Sequence, residues 1–216
     1  MTRVLITGFS PFDGRRVNPS WQAASLVAAE PPAGLTVTAA ELPCVFGESV
    51  TVLRDAVRAA GPELVLCLGQ AGGRPGVTVE RVAINLDDAR IPDNAGRRPV
   101  DEPVVPGGPA AYFSSLPVKA CVAALRTAGV PAAVSHTAGT FVCNHVAYGL
   151  AHLIATELPH VRGGFVHVPW APEQVPDGTA PALEPATVAR GLRALLVTAA
   201  ATPTGQDLKI SEGTTH

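Results

Sequence analysis

Gly61-Pro62-Glu63-Leu64-Val65-Leu66-Cys67-Leu68-Gly69-Gln70-Ala71-Gly72-Gly73 is the stretch that decides the fold. Its apolar centre, Glu63 to Leu68, is too short for a helix. It shows no polar alternation either, as expected of a strand covered on both faces. Before it, Ser49 to Ala60 has helical spacing, and Gly61-Pro62 closes that helix. A glycine-rich loop follows at once. Helix, buried strand and loop in this order are the unit of a parallel sheet with helices on both faces.

The unit recurs along the chain. Arg3 to Gly8 reads as a buried strand, Trp21 to Glu30 as a helix that Ser20 would cap, and Leu35 to Leu42 as a second strand. Val77 to Leu86 alternates and reads as one extended segment. Val118 to Thr127 is helical, Ala132 to Ser135 a strand, and Asn144 to Glu157 a helix. Gly164 to Val168 is the last strand and Ala186 to Ala199 the last helix. The stretch from Ala89 to Pro109, rich in Pro, Gly, Asp and Arg, reads as a long loop or hairpin of the kind that often carries function. These patterns predict an α/β fold: a three-layer αβα sandwich around a mostly parallel, mixed sheet. We expect a single domain over residues 1–216, with a polar tail from about 202 to 216 that frays.

Composition narrows the function classes. The 216 residues suffice for one sizeable core, and 47% hydrophobic with 16% charged residues excludes a disordered chain. A formal net charge of −2 gives no reason to expect nucleic acid or an acidic membrane as a partner. No apolar run approaches the roughly 20 residues of a membrane span. Met1 to Gly8 enters a strand pattern directly, so no signal peptide is expected. Cys44, Cys67, Cys121 and Cys143 are far apart and share no CxxC, which suits a reducing cytoplasm. Cys143-x-His145 alone does not make a metal site, and no other cluster has ligand spacing.

In sheets of this kind, sites form at the carboxyl ends of the strands. Gly8-Phe9-Ser10-Pro11-Phe12, Gly69-Gln70-Ala71-Gly72-Gly73 and His167-Val168-Pro169 each follow a strand's last apolar residues, so they should share one edge. Cys143 falls in or just before the first turn of a helix, where the dipole and unpaired N–H groups favour a thiolate and could hold an oxyanion. A buried core cysteine is the alternative. A cysteine hydrolase also needs a base and a group that orients it. His167, at a strand end, is the preferred base, although alone it reads equally as a structural histidine. His136 remains possible, while His145 should point away from the site. Glu80 is the preferred orienting carboxylate; a salt bridge to Arg74 or Arg81 is the competing reading. Asp87 and Asp88 are weaker choices before a turn. Phe9, Phe12 and Phe141 could form a flat apolar slot for a small ring or could be ordinary core aromatics. The Gln70 loop lacks the residues of a phosphate loop.

Together these residues resemble the pyroglutamyl peptidase I family of cysteine peptidases, also called pyrrolidone-carboxylate peptidases. The resemblance rests on six ordered segments: Gly8 to Phe12 with Asn18-Pro19-Ser20, Gly69 to Arg74, Glu80 to Asn85, Asp88 to Asn94, Ala138 to Asn144, and His167 to Gln174. It implies removal of an N-terminal pyroglutamyl (5-oxoproline) residue from peptides through a thioacyl-enzyme, by a cytoplasmic homotetramer or homodimer without a cofactor. It also implies a Cys143–His167–Glu80 triad, with Arg90 beside the Cys143 N–H as the oxyanion group. Phe9, Phe12, Ile91, Phe141 and Val142 would then form the ring pocket, with Asn18 and Gln70 as polar contacts to the lactam. The chain departs from the family at His136, where asparagine is commoner, and at Trp170, where tyrosine is; Cys44 occupies a variable position. A small-amide hydrolase on the same scaffold, or a protein that binds pyroglutamyl ends without chemistry, are the rival functions.

Overall fold

The computed structural model describes residues 1–213. Its elements are β1 (Thr2–Phe9), α1 (Pro19–Ala29), β2 (Leu35–Leu42), α2 (Glu48–Ala60), β3 (Leu64–Gln70), β4 (Val77–Glu80), β5 (Val82–Ile84), β6 (Ala111–Phe113), α3 (Val118–Thr127), β7 (Ala132–Ser135), α4 (Val142–Thr156), β8 (Arg162–Val168) and α5 (Pro185–Ala201), with a 3-10 turn at Pro172–Gln174. Six strands form the central sheet in the order β2-β1-β3-β8-β4-β7. All neighbours are parallel except β8 and β4, so the sheet is mixed.

Strand alternation feeds two cores. From β1 and β3, Val4, Ile6, Leu64, Leu66 and Leu68 enter a cluster with α1, α3 and α5. Leu5, Phe9, Val65 and Cys67 enter a second cluster with α2 and α4. The sheet is thus the middle of three layers, and its continuous apolar runs are explained by burial on both faces. Fully burying a leucine such as Leu66 contributes on the order of 2 kcal/mol.

Two local expectations are corrected. Asn18, rather than Ser20, caps α1: its Oδ1 accepts from the Ser20 N–H at 3.1 Å and the Ser20 hydroxyl at 2.8 Å. Ser20 lies inside the helix, where its Oγ accepts from the Phe9 N–H at 3.0 Å and so ties α1 to the end of β1. The extended run from Val77 to Leu86 breaks at Arg81. Its second half leaves the main sheet and pairs as β5 with β6 in a separate two-stranded sheet.

The long segment after β5 is irregular yet firmly held. Asp87 pairs with Glu102 in an isolated antiparallel bridge. Asn85 exchanges hydrogen bonds with Val105, and Asp93 accepts from the N–H groups of Phe46, Ala95 and Arg97. Side chains here replace the missing ladder as partners for the backbone. Beyond Ala201, residues 202–213 carry no helix or strand, but they are tethered where the sequence predicts fraying. Asp207 accepts from the N–H groups of Lys119 and Ala120, and Glu212 pairs with Arg126 at 2.6 Å. The last three residues of that predicted tail lie outside the described residues.

Candidate active site

The carboxyl ends of β1, β3 and β8 and the start of α4 enclose a cavity of about 260 Å³. Phe9 and Phe12 reach it from the end of β1, Gln70 from β3, His167 from β8, and Phe141 and Cys143 from α4. Phe141 is the N-cap of α4 and lends no side chain to the first-turn N–H groups. Cys143 is the second residue of that turn and is half-buried. Gly69 makes room for it: a Cβ at position 69 would lie 2.7 Å from Cys143 Sγ and from the Phe165 ring.

His167 and Glu80 meet through sheet register. Thr78 lies opposite His167 across the antiparallel β4–β8 pair. Glu80, two residues on, therefore shares the face of His167 as its diagonal neighbour. His167 Nδ1 is 2.8 Å from Glu80 Oε1, and both side chains are almost fully buried. Arg74 Nη1 donates to the same oxygen at 2.6 Å, with Thr78 and Ser135 as further partners, and Arg74 Nη2 donates to the Thr137 carbonyl. The sequence set the triad role and the Arg74 salt bridge as competing readings of Glu80; the carboxylate holds both partners at once.

A family model described as pyroglutamyl peptidase matches residues 2–202. The chain belongs to the pyroglutamyl peptidase family. A relative from Streptomyces coelicolor called pyrrolidone-carboxylate peptidase is 84% identical over 216 residues, covering all of both chains. One of the same name from Bacillus subtilis is 51% identical and covers 99% of each chain. The crystal structure of pyroglutamyl peptidase I from Bacillus amyloliquefaciens superposes with a TM-score of 0.94 at 46% identity, over 97% of this chain and 99% of that one.

Electrostatics in this member of the pyroglutamyl peptidase family set the resting protonation. Burial pushes the Glu80 carboxyl up, but the hydrogen bond and charge of His167, with Ser135 and Arg74, outweigh it and hold Glu80 below its ordinary value. Glu80 is therefore a carboxylate that accepts, and His167 donates its Nδ1–H. Burial and the Arg74 charge together lower the His167 pKa more than the hydrogen bond and charge of Glu80 raise it, so the ring is neutral near pH 7. Burial raises the Cys143 thiol, as do Cys44 and Glu80, against a smaller pull from Arg74. The helix start pulls the other way but weakly, a helix terminus being worth about 0.3–1 kcal/mol, under one pKa unit. The thiolate expected from the helix start is thus not the resting state; a thiol beside a neutral imidazole is.

The remaining predicted residues are distributed unevenly. Asn18 lines the cavity, but its Oδ1 is committed to Ser20 and one Nδ2 proton to the Ser10 carbonyl, leaving one proton to offer. Gln70 Oε1 accepts from Gln174 Nε2 at 3.0 Å. Val142 is fully buried in the core and does not line the cavity. Arg90 and Ile91 do not line it either; they border two adjoining clefts across Phe12 and Phe141. His136 is exposed. His145 accepts from the Gly47 N–H through Nε2 and so donates Nδ1–H to Asp87, which occupies both ring nitrogens.

Two residues of the surroundings do more than the sequence assigns them. Arg74, expected only as a salt-bridge partner of Glu80, anchors that carboxylate and also lines the cavity. Asn144, fully buried beside Cys143, clamps the start of α4 to Ile84 and Leu86 through three hydrogen bonds. A polar side chain inside an apolar helix start was the only available signal for Asn144. Among the described residues no group of three His, Cys, Asp or Glu side chains is arranged to hold a metal ion.

Proposed function

We infer that the chain is a single-domain cysteine peptidase over residues 1–216 that hydrolyses the amide bond after an N-terminal pyroglutamyl residue of peptides. Its family membership supports this, and one observation carries the chemistry. Cys143 and His167 line one cavity, and the imidazole is held there through Nδ1 by a buried carboxylate. His167 Nε2 is thereby left as the nitrogen that can accept the thiol proton within that cavity.

The pyroglutamyl ring enters between Phe9, Phe12 and Phe141, with Asn18 and Gln70 offered to its lactam. Cys143 Sγ attacks the pyroglutamyl carbonyl carbon as its proton passes to His167 Nε2, because no preformed thiolate is available. The first-turn N–H groups of α4 hold the oxyanion, and Arg90 completes the set if its side chain swings past Phe12 and Phe141. The C–N bond breaks as His167 gives its proton to the leaving amine. Water, deprotonated by His167, then cleaves the thioester and frees pyroglutamate. Glu80 keeps the imidazole oriented and stabilises its cationic form.

The same reading makes the protein a cytoplasmic homotetramer or homodimer. Four cysteines without a disulfide among the described residues support a reducing compartment, and exposed Phe113 and Val100 support a subunit contact. No helix is long and apolar enough to cross a membrane among the described residues.

Release of amine from a pyroglutamyl arylamide tests the reading, with a prolyl arylamide and Cys143→Ala as controls. Turnover lost in the variant, and lower for proline by about 10⁴-fold, is the expected result, because proline lacks the ring carbonyl and leaves buried polar groups unpaired. No turnover by folded, reduced wild-type protein would sink it.

A further inference from the structure

The cavity that holds Cys143 takes a small ring, so the rest of a peptide substrate must leave it through a neighbouring opening. A cleft of about 230 Å³ lies across Phe12 and Gln70, which line both spaces. Strand register points the exit this way. Gly69 is opposite His167 and Gln70 opposite Val168, so the ends of β3 and β8 run side by side into this cleft. His167 must protonate the leaving nitrogen, which places that nitrogen on the β8 side of Cys143. The second adjoining cleft is lined instead by Asp88, Thr140 and Phe141, and neither Gln70 nor Trp170 borders it.

The cleft is built rather than incidental. The Trp170 indole, three residues past His167, packs against Gly72; a Cβ there would fall 2.1 Å from the ring, so only glycine lets it seat. Arg15 Cζ stands 5.7 Å over the same ring, and its Nη1 donates to the Gln174 carbonyl at 3.2 Å. That contact and the stacking geometry leave most of the five guanidinium protons unused. Arg90 borders the cleft from the opposite loop. Asp13, exposed on the rim, is the one acid among the lining residues. Two guanidinium groups against one carboxylate give the cleft a positive balance.

Resting on the function proposed above, we propose that this cleft binds the leaving part of the peptide and favours a carboxylate there. Trp170 is the platform for the second residue, and Arg15, the guanidinium not assigned to the oxyanion, receives the anion. The carboxylate has two sources, an acidic side chain on the second residue or the free C-terminus of a dipeptide.

Four substrates separate these: pyroglutamyl-glutamyl amide, pyroglutamyl-lysyl amide, pyroglutamyl-alanyl amide and pyroglutamyl-alanine with a free carboxylate. A partly exposed ion pair predicts that wild type prefers the glutamyl over the lysyl amide in kcat/KM by about 3- to 10-fold at low salt. The preference should shrink towards unity near 1 M salt, where the screening length is about 3 Å. Arg15→Gln should abolish most of it, and Gly72→Ala, which displaces Trp170 without changing charge, should raise KM for all four peptides. A larger gain for free pyroglutamyl-alanine than for the glutamyl amide would assign the anion site to the C-terminus. Equal kcat/KM for the glutamyl and lysyl amides together with no gain for free pyroglutamyl-alanine over its amide, with a pyroglutamyl arylamide still cleaved, would overturn the subsite alone. So would a preference that survives Arg15→Gln. Failure to cleave the arylamide would overturn the function and the subsite together.

Discussion

His167 Nδ1 stands 2.8 Å from Glu80 Oε1, although 87 positions separate the two residues in the chain. Glu80 touches the imidazole but does not line the cavity that would hold substrate. Replacing the carboxylate by its amide should therefore disturb the chemical step more than binding. For Glu80→Gln we expect kcat to fall by about 10²-fold or more, because the amide can favour the wrong imidazole tautomer, with KM changed little. Steady-state kinetics on a pyroglutamyl arylamide decide this, and a kcat within threefold of wild type would remove Glu80 from the orienting role.

The acid limb of kcat/KM should report the imidazole. Burial holds the His167 pKa below 6.5 while Glu80 pulls it upward. Activity should thus persist to pH values below 6.5 before falling. Removing the upward pull in Glu80→Gln should move the limb to lower pH still, in whatever activity remains. A limb that shifts to higher pH would contradict the charge balance drawn from the structure.

Stability should have a plateau with falling sides. His167 and Glu80 both have folded pKa values below their ordinary ones, so the unfolded chain binds protons first and stability drops as pH falls, from about 6.5 for His167 and about 4.5 for Glu80. Cys44, Cys67 and Cys121 are pushed up to about 12 by burial from 9.0. The unfolded chain then loses those protons first, and stability drops as pH rises from 9 towards 12. Denaturant midpoints measured across pH in reducing buffer should be highest between about 6.5 and 9.

Gly69 offers a steric test of the nucleophile's setting. Gly69→Ala places a methyl 2.7 Å from both Cys143 Sγ and Phe165 Cζ. Overpacking of this kind costs about 1–3 kcal/mol. The thiol must also shift, so kcat/KM should fall far more than the lost stability would account for. Thermal melts beside kinetics distinguish the two effects, and a stable variant with full activity would show that Sγ has freedom this packing denies it.

The tail makes a contrasting prediction. Pro117, the N-cap of α3, supplies no capping side chain, and Asp207 caps the helix from the far end of the chain. Asp207→Ala should lower stability by about 1 kcal/mol, a Tm loss of about 2–4 °C, with arylamide turnover unchanged. An unaltered Tm would show that this cap is energetically idle.

Sequence periodicity located nearly every element because burial on both faces leaves unbroken apolar runs, as in Leu64 to Leu68. It failed where pattern and pairing part company. The alternation of Val77 to Leu86 continues straight across Arg81, yet the hydrogen bonds pass there from β8 and β7 to β6. Short β6 was missed for the same reason, since three residues carry too little pattern. Cys143, His167, Phe9 and Gln70 were legible because strand ends and helix starts share one edge. The pairing of Glu80 with His167 followed from an antiparallel register that periodicity does not encode. The capping of α1 by Asn18 was ambiguous because Asn18 and Ser20 are both good caps two positions apart. Val142, Arg90 and Ile91 came from the family resemblance, and their side chains lie outside the Cys143 cavity here.

The strand order has a temporal meaning. β8 is the last strand to be synthesised, yet it sits in the interior of the sheet, between β3 and β4. Until residues 162–168 have left the ribosome, the seat between those strands is empty and Glu80 has no imidazole to hold. Inserting a strand so late demands non-local pairing, which is slow to form. The cavity that Cys143 and His167 share can therefore close only after almost four-fifths of the chain has been made.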